Sequence, residues 1–218
     1  MATYDELGCL IRERYLPADA WPNLGDSCAE TARAYVLGHR NSSVNFMRFK
    51  GPTTGFVRHP KLTEVHGWNE QDFTGDQFVA LWMAFYLENG PPPPSIVDVR
   101  LWKVPATDKW LTPAAWALVR GHYRLLNLCN IAQGWLFNFS HRWNDEGHIE
   151  PSQGKVQDWL NYLCIYVFLK RIGKWATLNQ EVSRSIDAVE TYYLRGDDKE
   201  PNSQWIVDLY KKALGVNL

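Results

Sequence analysis

Hydrophobic residues recur every three or four positions through most of the chain, a spacing typical of helices that bury one face. Val182, Ile186, Val189 and Tyr193 form one such stripe. The segment from Lys155 to Lys170 is apolar nearly all round, which predicts a central, buried helix. The pattern predicts seven helices: one from Thr3, then Ser27 to about His39, Phe78 to Glu88, Pro113 to about Cys129, Lys155 to Lys170, Val182 to Tyr193, and Trp205 to Leu214.

Polar residues that stabilise a first helical turn precede several of these stripes. Thr112 precedes Pro113, and proline suits the first helical position because its missing N–H is not needed there. Three residue pairs have the spacing of a capping box, in which each side chain accepts from an exposed backbone amide: Thr3 with Glu6, Ser27 with Glu30, and Thr74 with Gln77.

Strand signals are sparse. Ser95 to Trp102 and, more weakly, Val44 to Phe49 are candidate strands, so one short β-hairpin is the alternative to an all-helical chain. The run Pro91 to Pro94 predicts a stiff, extended connector. A length of 218 residues suits one domain over residues 1–218, with a subdivision near 90–95 as the alternative. The predicted fold is mainly α, with about seven helices packed as helical hairpins.

Composition argues against two classes of partner. With 23 basic and 24 acidic residues the chain has no overall positive charge, so binding to nucleic acid or to a membrane is not expected. The N-terminal segment is acidic where a secretory signal would be basic, and the longest apolar run, Tyr162 to Leu169, is too short to cross a bilayer. These features predict a soluble, cytoplasmic protein.

Cofactor and metal motifs are missing from the sequence. The four cysteines lie far apart and are expected to be buried free thiols. The polar stretch from His141 to Glu150 contains ligand-type residues, but it lacks the spacing of known zinc and calcium motifs and is interpreted as a loop. Motifs of nucleotide-binding proteins and serine hydrolases are also missing. We therefore expect no metal and no cofactor.

Candidate chemistry concentrates in the first half of the chain. Two Gly-Asp steps at predicted helix starts supply Asp26 and Asp76. Arg58 and His59 lie in a loop rich in glycine, proline and threonine, which can turn sharply and direct both side chains toward a cleft. The alternative for Ser27, Glu30, Thr74 and Gln77 is helix capping without any further function.

The blocks Gly25 to Arg33, Gly55 to Pro60 and Asp72 to Gln77 resemble those of poorly characterised helical proteins encoded by bacteria and their phages. They are also loosely similar to helix-opening segments of α/α-toroid carbohydrate-active enzymes. The resemblance covers about the first 90 residues. It implies paired helices around a central cleft, with acids and aromatic residues on loops at one end. The chain departs from that pattern because it is too short for the six helical hairpins of a full toroid.

The first functional hypothesis is a carbohydrate-active enzyme, a glycan hydrolase or lyase. Cleavage of a glycan needs an acid and a base in opposite protonation states, so the candidate catalytic groups are carboxylates and one histidine: Asp26, Glu30, His59, Asp72 and Asp76. The candidate substrate-binding residues are Arg58 for a sugar carboxylate, Trp68 for stacking on a sugar ring, and Gln77.

The second hypothesis is a non-catalytic helical binding or assembly protein, in which the polar blocks form buried hydrogen-bond networks. Such a protein could be a structural or accessory component of a phage, with a virion protein or a second copy of the chain as partner. The enzyme would instead bind a glycan or another small polar ligand. An enzyme should place Asp26, Arg58, His59 and Asp76 in one open cleft, whereas a network should bury them in pairs.

Overall fold

The computed structural model describes residues 4–10, 27–39, 45–53, 55–61, 69–90, 102–140, 153–178, 182–194 and 203–216. Within these ranges the chain forms seven α-helices and no β-strand, which confirms the predicted mainly α fold. The helices are α1 (Ser27–Val36), α2 (Gly75–Asn89), α3 (Pro113–Val119), α4 (Tyr123–Ser140), α5 (Gln153–Arg171), α6 (Val182–Leu194) and α7 (Ser203–Leu214). Two short 3-10 helices, Phe46–Phe49 and Glu70–Asp72, lie in the connections between α1 and α2.

The helix predicted from Thr3 is wrong for residues 4–10, which form a turn closed by a bridge between Tyr4 and Leu10. The carboxylate of Asp5 explains the difference, because its Oδ1 accepts from the backbone N–H groups of Leu7 (2.9 Å) and Cys9 (2.8 Å). Aspartate side chains that bind nearby amides in this way compete with helix formation.

The long helix predicted from Pro113 is two helices. Its start is confirmed, since Thr112 Oγ1 accepts from Ala115 N–H at 3.2 Å. The chain then turns at Gly121, whose φ of 68° lies in the left-handed region, and Gly121 and His122 donate back to Leu118 and Ala117. A left-handed glycine is the usual way to end a helix. α4 therefore begins afresh at Tyr123.

The candidate strands are not found among the described residues. Residues 46–49 form a 3-10 helix capped by Asn45, whose side chain accepts from Met47 N–H at 3.0 Å, so the strand predicted there is wrong. Of the segment Ser95 to Trp102 only Trp102 is described, and an isolated bridge pairs Lys103 with Trp110. The tetraproline and the predicted subdivision near 90–95 lie mostly outside the described residues.

The core is built around α2 and α5. α2 is buried continuously from Gln77 to Phe85, and α5 is buried at most positions from Trp159 to Leu169, which confirms the prediction of a central apolar helix. α1 packs mainly against α2, while α3 with α4, α4 with α5, and α6 with α7 pack as consecutive helical pairs. Among the described residues, no helix combines the length and apolar character that crossing a membrane requires.

Replacing Gly121 with alanine should lower the free energy of unfolding by about 1 kcal/mol, because an L-residue is strained at this φ. Steric overlap would not contribute, since the nearest atom to an added Cβ, Tyr123 OH, is 3.9 Å away. Gly75→Ala is the matched control: nothing lies within 4 Å of its added Cβ and its φ is not positive, so stability should be unchanged or slightly higher. Urea unfolding of both variants measures this, and equal effects would contradict the assigned turn.

Candidate functional site

Arg33 on α1 is the most deeply buried cation of the described chain, with 1% of its surface exposed. Its Nε donates to Asn161 Oδ1 on α5 at 3.1 Å, and its Nη2 lies 3.7 Å from Asp76 Oδ2 on α2. Asn161 in turn donates to the backbone oxygen of Asp76 at 2.9 Å. These contacts tie the three packed helices together through one guanidinium.

Glu30 lies one helical turn before Arg33 and is also buried. Its two carboxylate oxygens accept from the hydroxyl of Tyr193 on α6, at 3.1 and 3.2 Å. Burial alone lowers the pKa of Arg33, but nearby Tyr210, Glu30, Tyr193 and Asp76 outweigh it and raise that pKa. Glu30 and Asp76 therefore compensate the same buried charge. Both carboxylates stabilise the buried guanidinium, and little of either side chain is exposed to solvent.

The capping boxes predicted for α1 and α2 are not formed. Ser27 lies inside α1, where its hydroxyl donates to Leu10 O at 2.6 Å, and Thr31 Oγ1 accepts from Leu10 N–H at 2.9 Å. Thr74 precedes α2 without a side-chain cap, and Gln77 is fully buried. These polar groups thus form long-range hydrogen bonds or pack in the core, where the sequence predicted local helix caps.

Asp72 and Arg58 meet in the connection before α2. The Asp72 carboxylate accepts from Asn69 N–H at 2.9 Å and so caps the 3-10 helix Glu70–Asp72. Arg58 Nε donates to the backbone oxygen of Asp72 at 2.7 Å. Both residues therefore stabilise the turn that leads into α2.

The glycine-rich loop before Arg58 folds around Glu70, a residue that the sequence analysis did not single out. The buried Glu70 carboxylate accepts from Thr53 N–H (2.9 Å), from the Thr53 hydroxyl and from Gly55 N–H (3.2 Å). A Cβ on Gly51 would overlap this carboxylate. The absence of a side chain on Gly51 therefore leaves space for the Glu70 carboxylate inside the loop. No spacing rule in the sequence would pair Glu70 with residues fifteen or more positions away.

His59 is fully buried and pairs with Asp5, whose Oδ2 lies 2.7 Å from His59 Nε2. Cys9 Sγ completes a group of three ligand-type atoms that all lie within 4.8 Å of one another. The hydrogen bonds favour a structural pair over a metal centre, because His59 Nδ1 accepts from Lys61 N–H at 3.2 Å and Nε2 then carries the proton shared with Asp5. Burial, together with the Asp5 carboxylate, raises the pKa of the Cys9 thiol to about 12.

The cysteines are free thiols, as predicted, and three are buried while Cys129 is half-buried. Burial raises the pKa of Cys28 well above its ordinary value, which argues against a nucleophilic thiolate at this position. The predicted site residues Asp26 and Trp68, and the polar stretch 141–150, lie outside the described residues. Of the described candidates, the structure brings Glu30 and Asp76 together at Arg33, and it places His59 with Asp5 and Arg58 with Asp72.

A separate surface groove of about 840 Å³ lies between the turn that joins α3 to α4 and the segment that follows α5. Thr177 N–H donates to Asn127 Oδ1 at 2.9 Å, which holds the latter segment against α4. The described residues of the lining are aromatic, basic and small, apart from one leucine, and none of them carries a carboxylate or amide side chain: Trp116, Gly121, His122, Tyr123, Arg124, Leu125, Gly173, Lys174 and Trp175.

Aromatic rings and cations are paired at this groove. Lys174 Nζ lies 5.6 Å from the centre of the Tyr123 ring, and Arg120 lies 5.9 Å from the centre of the Trp116 ring. Trp102 stacks on Trp116 with 4.3 Å between ring centres and 7° between ring planes. Trp175 is 69% exposed, which leaves a large apolar side chain uncovered at the edge of the groove.

Two of the six exposed large hydrophobic residues of the described chain, Leu125 and Trp175, line the groove. Leu128 lies one turn further along α4, and Trp102 and Trp110 lie in the loop before α3. Trp102 also has a φ of 57°, which is strained for a bulky side chain and is held by its stack on Trp116. Basic residues are also frequent in the surrounding sequence, although Lys109 binds Gln71 O and Phe73 O, and Arg171 binds Tyr35 O and Val36 O, outside the groove. Residues 102–128 and 170–178 carry seven basic residues and one acidic residue, which leaves the rest of the chain with a formal charge of −7.

Comparison with known proteins gives no family assignment. No known protein family, no curated protein and no solved structure matches this chain. Two regions of the described chain differ in character: the Arg33 cluster is buried and internally paired, whereas the aromatic and basic groove is open to solvent.

Replacing Arg33 with leucine should lower the free energy of unfolding by about 3 kcal/mol, because Glu30 and Asp76 lose the cation that compensates them. Urea unfolding measures the loss. The double variant Glu30→Gln with Arg33→Leu should recover part of it, since one uncompensated carboxylate is removed. Wild-type stability of the single variant would contradict the structural role of the cluster.

Replacing Asp5 with asparagine tests the pair with His59 through its pH dependence. Burial raises the pKa of Asp5, but the hydrogen bond from His59 and the two backbone amides outweigh it, and the folded-state pKa is lowered. The ionised carboxylate therefore adds stability above its ordinary pKa of about 3.9 and loses it as pH falls through the lower folded value. Unfolding at several pH values should show a deficit of roughly 1–3 kcal/mol for the variant near neutrality, shrinking in acid; a deficit that grows in acid would contradict the pairing.

Proposed function

We propose that this protein is a non-catalytic helical binding protein, and that its ligand is an anion with flat ring surfaces. The observation that carries the proposal is the groove lining, whose described residues offer aromatic faces and cations and include no acidic side chain. Arginine and lysine only donate hydrogen bonds, so they suit a ligand rich in acceptor oxygens. Tryptophan and tyrosine provide surfaces for stacking, and cations placed near them strengthen the attraction to an anion.

Burial of the predicted catalytic groups supports a binding role over catalysis. Glu30 and His59 are buried and already have protein partners, and the Asp72 carboxylate caps a short helix. A catalytic acid or base must reach the substrate within hydrogen-bond distance. The glycan hydrolase or lyase hypothesis, and the assignment to a phage, stay predictions.

Binding of 1-anilinonaphthalene-8-sulfonate tests the proposal, because this probe combines fused rings with a sulfonate. We expect its fluorescence to rise on binding the folded protein, and Trp175→Ala to weaken the affinity roughly fivefold through lost stacking. Lys174→Ala should weaken it by a similar factor. Met47→Ala is the matched control, since Met47 is another exposed hydrophobic residue (38%) but lies away from the groove.

The neutral analogue N-phenyl-1-naphthylamine separates charge from hydrophobicity in the same assay. It should bind more weakly than the sulfonate and should respond to Trp175→Ala but not to Lys174→Ala. Equal affinity of the two probes, or an effect of Met47→Ala as large as that of Trp175→Ala, would overturn the proposed site.

A further inference from the structure

We infer that the ligand of the groove is single-stranded nucleic acid, an inference that rests on the binding function proposed above. The observation behind it is the combination of ring surfaces and cations at this groove. Single strands offer bases that can stack on aromatic side chains and phosphates that attract arginine and lysine, and proteins that bind them without sequence preference combine these two features.

The arrangement of rings provides more than one stacking position. Trp175 borders the groove on the segment after α5, while Trp116 and its stacked partner Trp102 lie on the other side of the α3–α4 turn. Trp110 is 70% exposed on the loop before α3, with Lys103 5.3 Å from its ring centre, and Lys103 also pairs with Asp108 at 3.3 Å, so this ring adds a stacking surface more than a cation. A ligand with several flat groups in succession fits this distribution better than a ligand with one ring.

The hydrogen-bonding character of the lining favours phosphates over sugar hydroxyls. A glycan presents many hydroxyl donors, for which carboxylates and amides are strong acceptors, and none of the described lining residues carries either group. Phosphodiester oxygens only accept, so they match Arg124 and Lys174 without leaving donors unsatisfied. The local excess of basic residues supplies the electrostatic attraction that the net charge of the whole chain does not indicate.

Single strands fit this surface better than duplexes do. Bases in a duplex are stacked on one another and paired, so their faces cannot reach Trp175 or Trp116 without unstacking. A duplex would be held by its phosphates alone. We therefore expect a preference for single strands that depends on the tryptophans, and a dependence on salt that arises from the cations.

Fluorescence anisotropy with a labelled oligothymidylate of about twelve nucleotides tests this inference on the full chain. If about three cations contact phosphates, the slope of log affinity against log salt is about −2, so the affinity should fall roughly 20-fold between about 50 and 200 mM salt. Trp175→Ala should weaken binding about tenfold, and Trp175→Phe should retain most of it. Arg124→Ala should lower the magnitude of the salt slope by about 0.7.

Lys50→Ala and Met47→Ala are the matched controls, because both side chains are exposed on a different element, and neither should change the affinity or the salt slope. Circular dichroism and urea unfolding of every variant exclude loss of the fold as the cause of weaker binding.

Competition with other polymers decides between nucleic acid and the alternatives. Duplex DNA of the same length, heparin oligosaccharide and polyglutamate should each compete more weakly than the single strand. Equal competition by heparin or polyglutamate would overturn the inference in favour of an acidic glycan or an acidic protein. Binding of anilinonaphthalene sulfonate without binding of the oligonucleotide would refute nucleic acid alone, whereas failure of both ligands would refute the proposed binding function as well.

Discussion

The guanidinium of Arg33 is a full positive charge held inside the protein, and the packing of the central helices depends on compensating it. An uncompensated buried charge costs several kcal/mol, so the cation must be accompanied by acids and hydrogen-bond acceptors. Glu30, Asp76 and Asn161 perform this role from α1, α2 and α5. Because the three residues must meet at one point, they fix how these helices lie against each other. Tyr193 extends the same cluster to α6 by donating to Glu30.

Because the buried cation uses these acids, the residues that stabilise the core and the residues proposed to bind a ligand lie in different parts of the molecule. Of the acids at the described helix starts in the first half of the chain, Glu30 and Asp76 compensate Arg33 and Asp72 is a local cap. Basic residues accumulate instead on the α3–α4 turn and on the segment after α5, where tryptophans are exposed. A chain with almost no net charge therefore has a markedly positive surface region, and it is this region that could attract an anionic partner.

The helical spacing of hydrophobic residues predicted most of the fold, because a helix that buries one face needs apolar residues every three or four positions. The central position of α5 followed from a segment apolar on all sides. The helix predictions failed where a single residue changes the course of the backbone. Asp5 binds two amides and produces a turn where a helix was expected, and Gly121 ends α3 by taking a left-handed conformation. Neither effect is visible in hydrophobic spacing, since both depend on a single residue.

The site was harder to predict because its contacts are long-range. The sequence suggested that Ser27 and Glu30 cap one helix, but Ser27 binds Leu10 and Glu30 binds Tyr193, 163 positions away. The groove was missed for a different reason. Net charge averages the basic region against the acidic remainder, and the abundance of tryptophan suggested core packing. Local charge counts over residues 102–128 and 170–178 carry the signal that would have found it.

Nuclear magnetic resonance of the side-chain N–H groups tests the separation of core and binding surface most directly. Each tryptophan indole and the buried Nε–H of Arg33 gives its own signal, and anilinonaphthalene sulfonate can be added stepwise to the folded protein. The indole signals of Trp175 and Trp116 should move, because both residues line the groove. The indole signal of Trp159 and the Nε–H signal of Arg33 should stay in place, because both residues are buried. Movement of the Arg33 signal with an unchanged Trp175 signal would contradict this separation, because the ligand would then bind at the buried cluster.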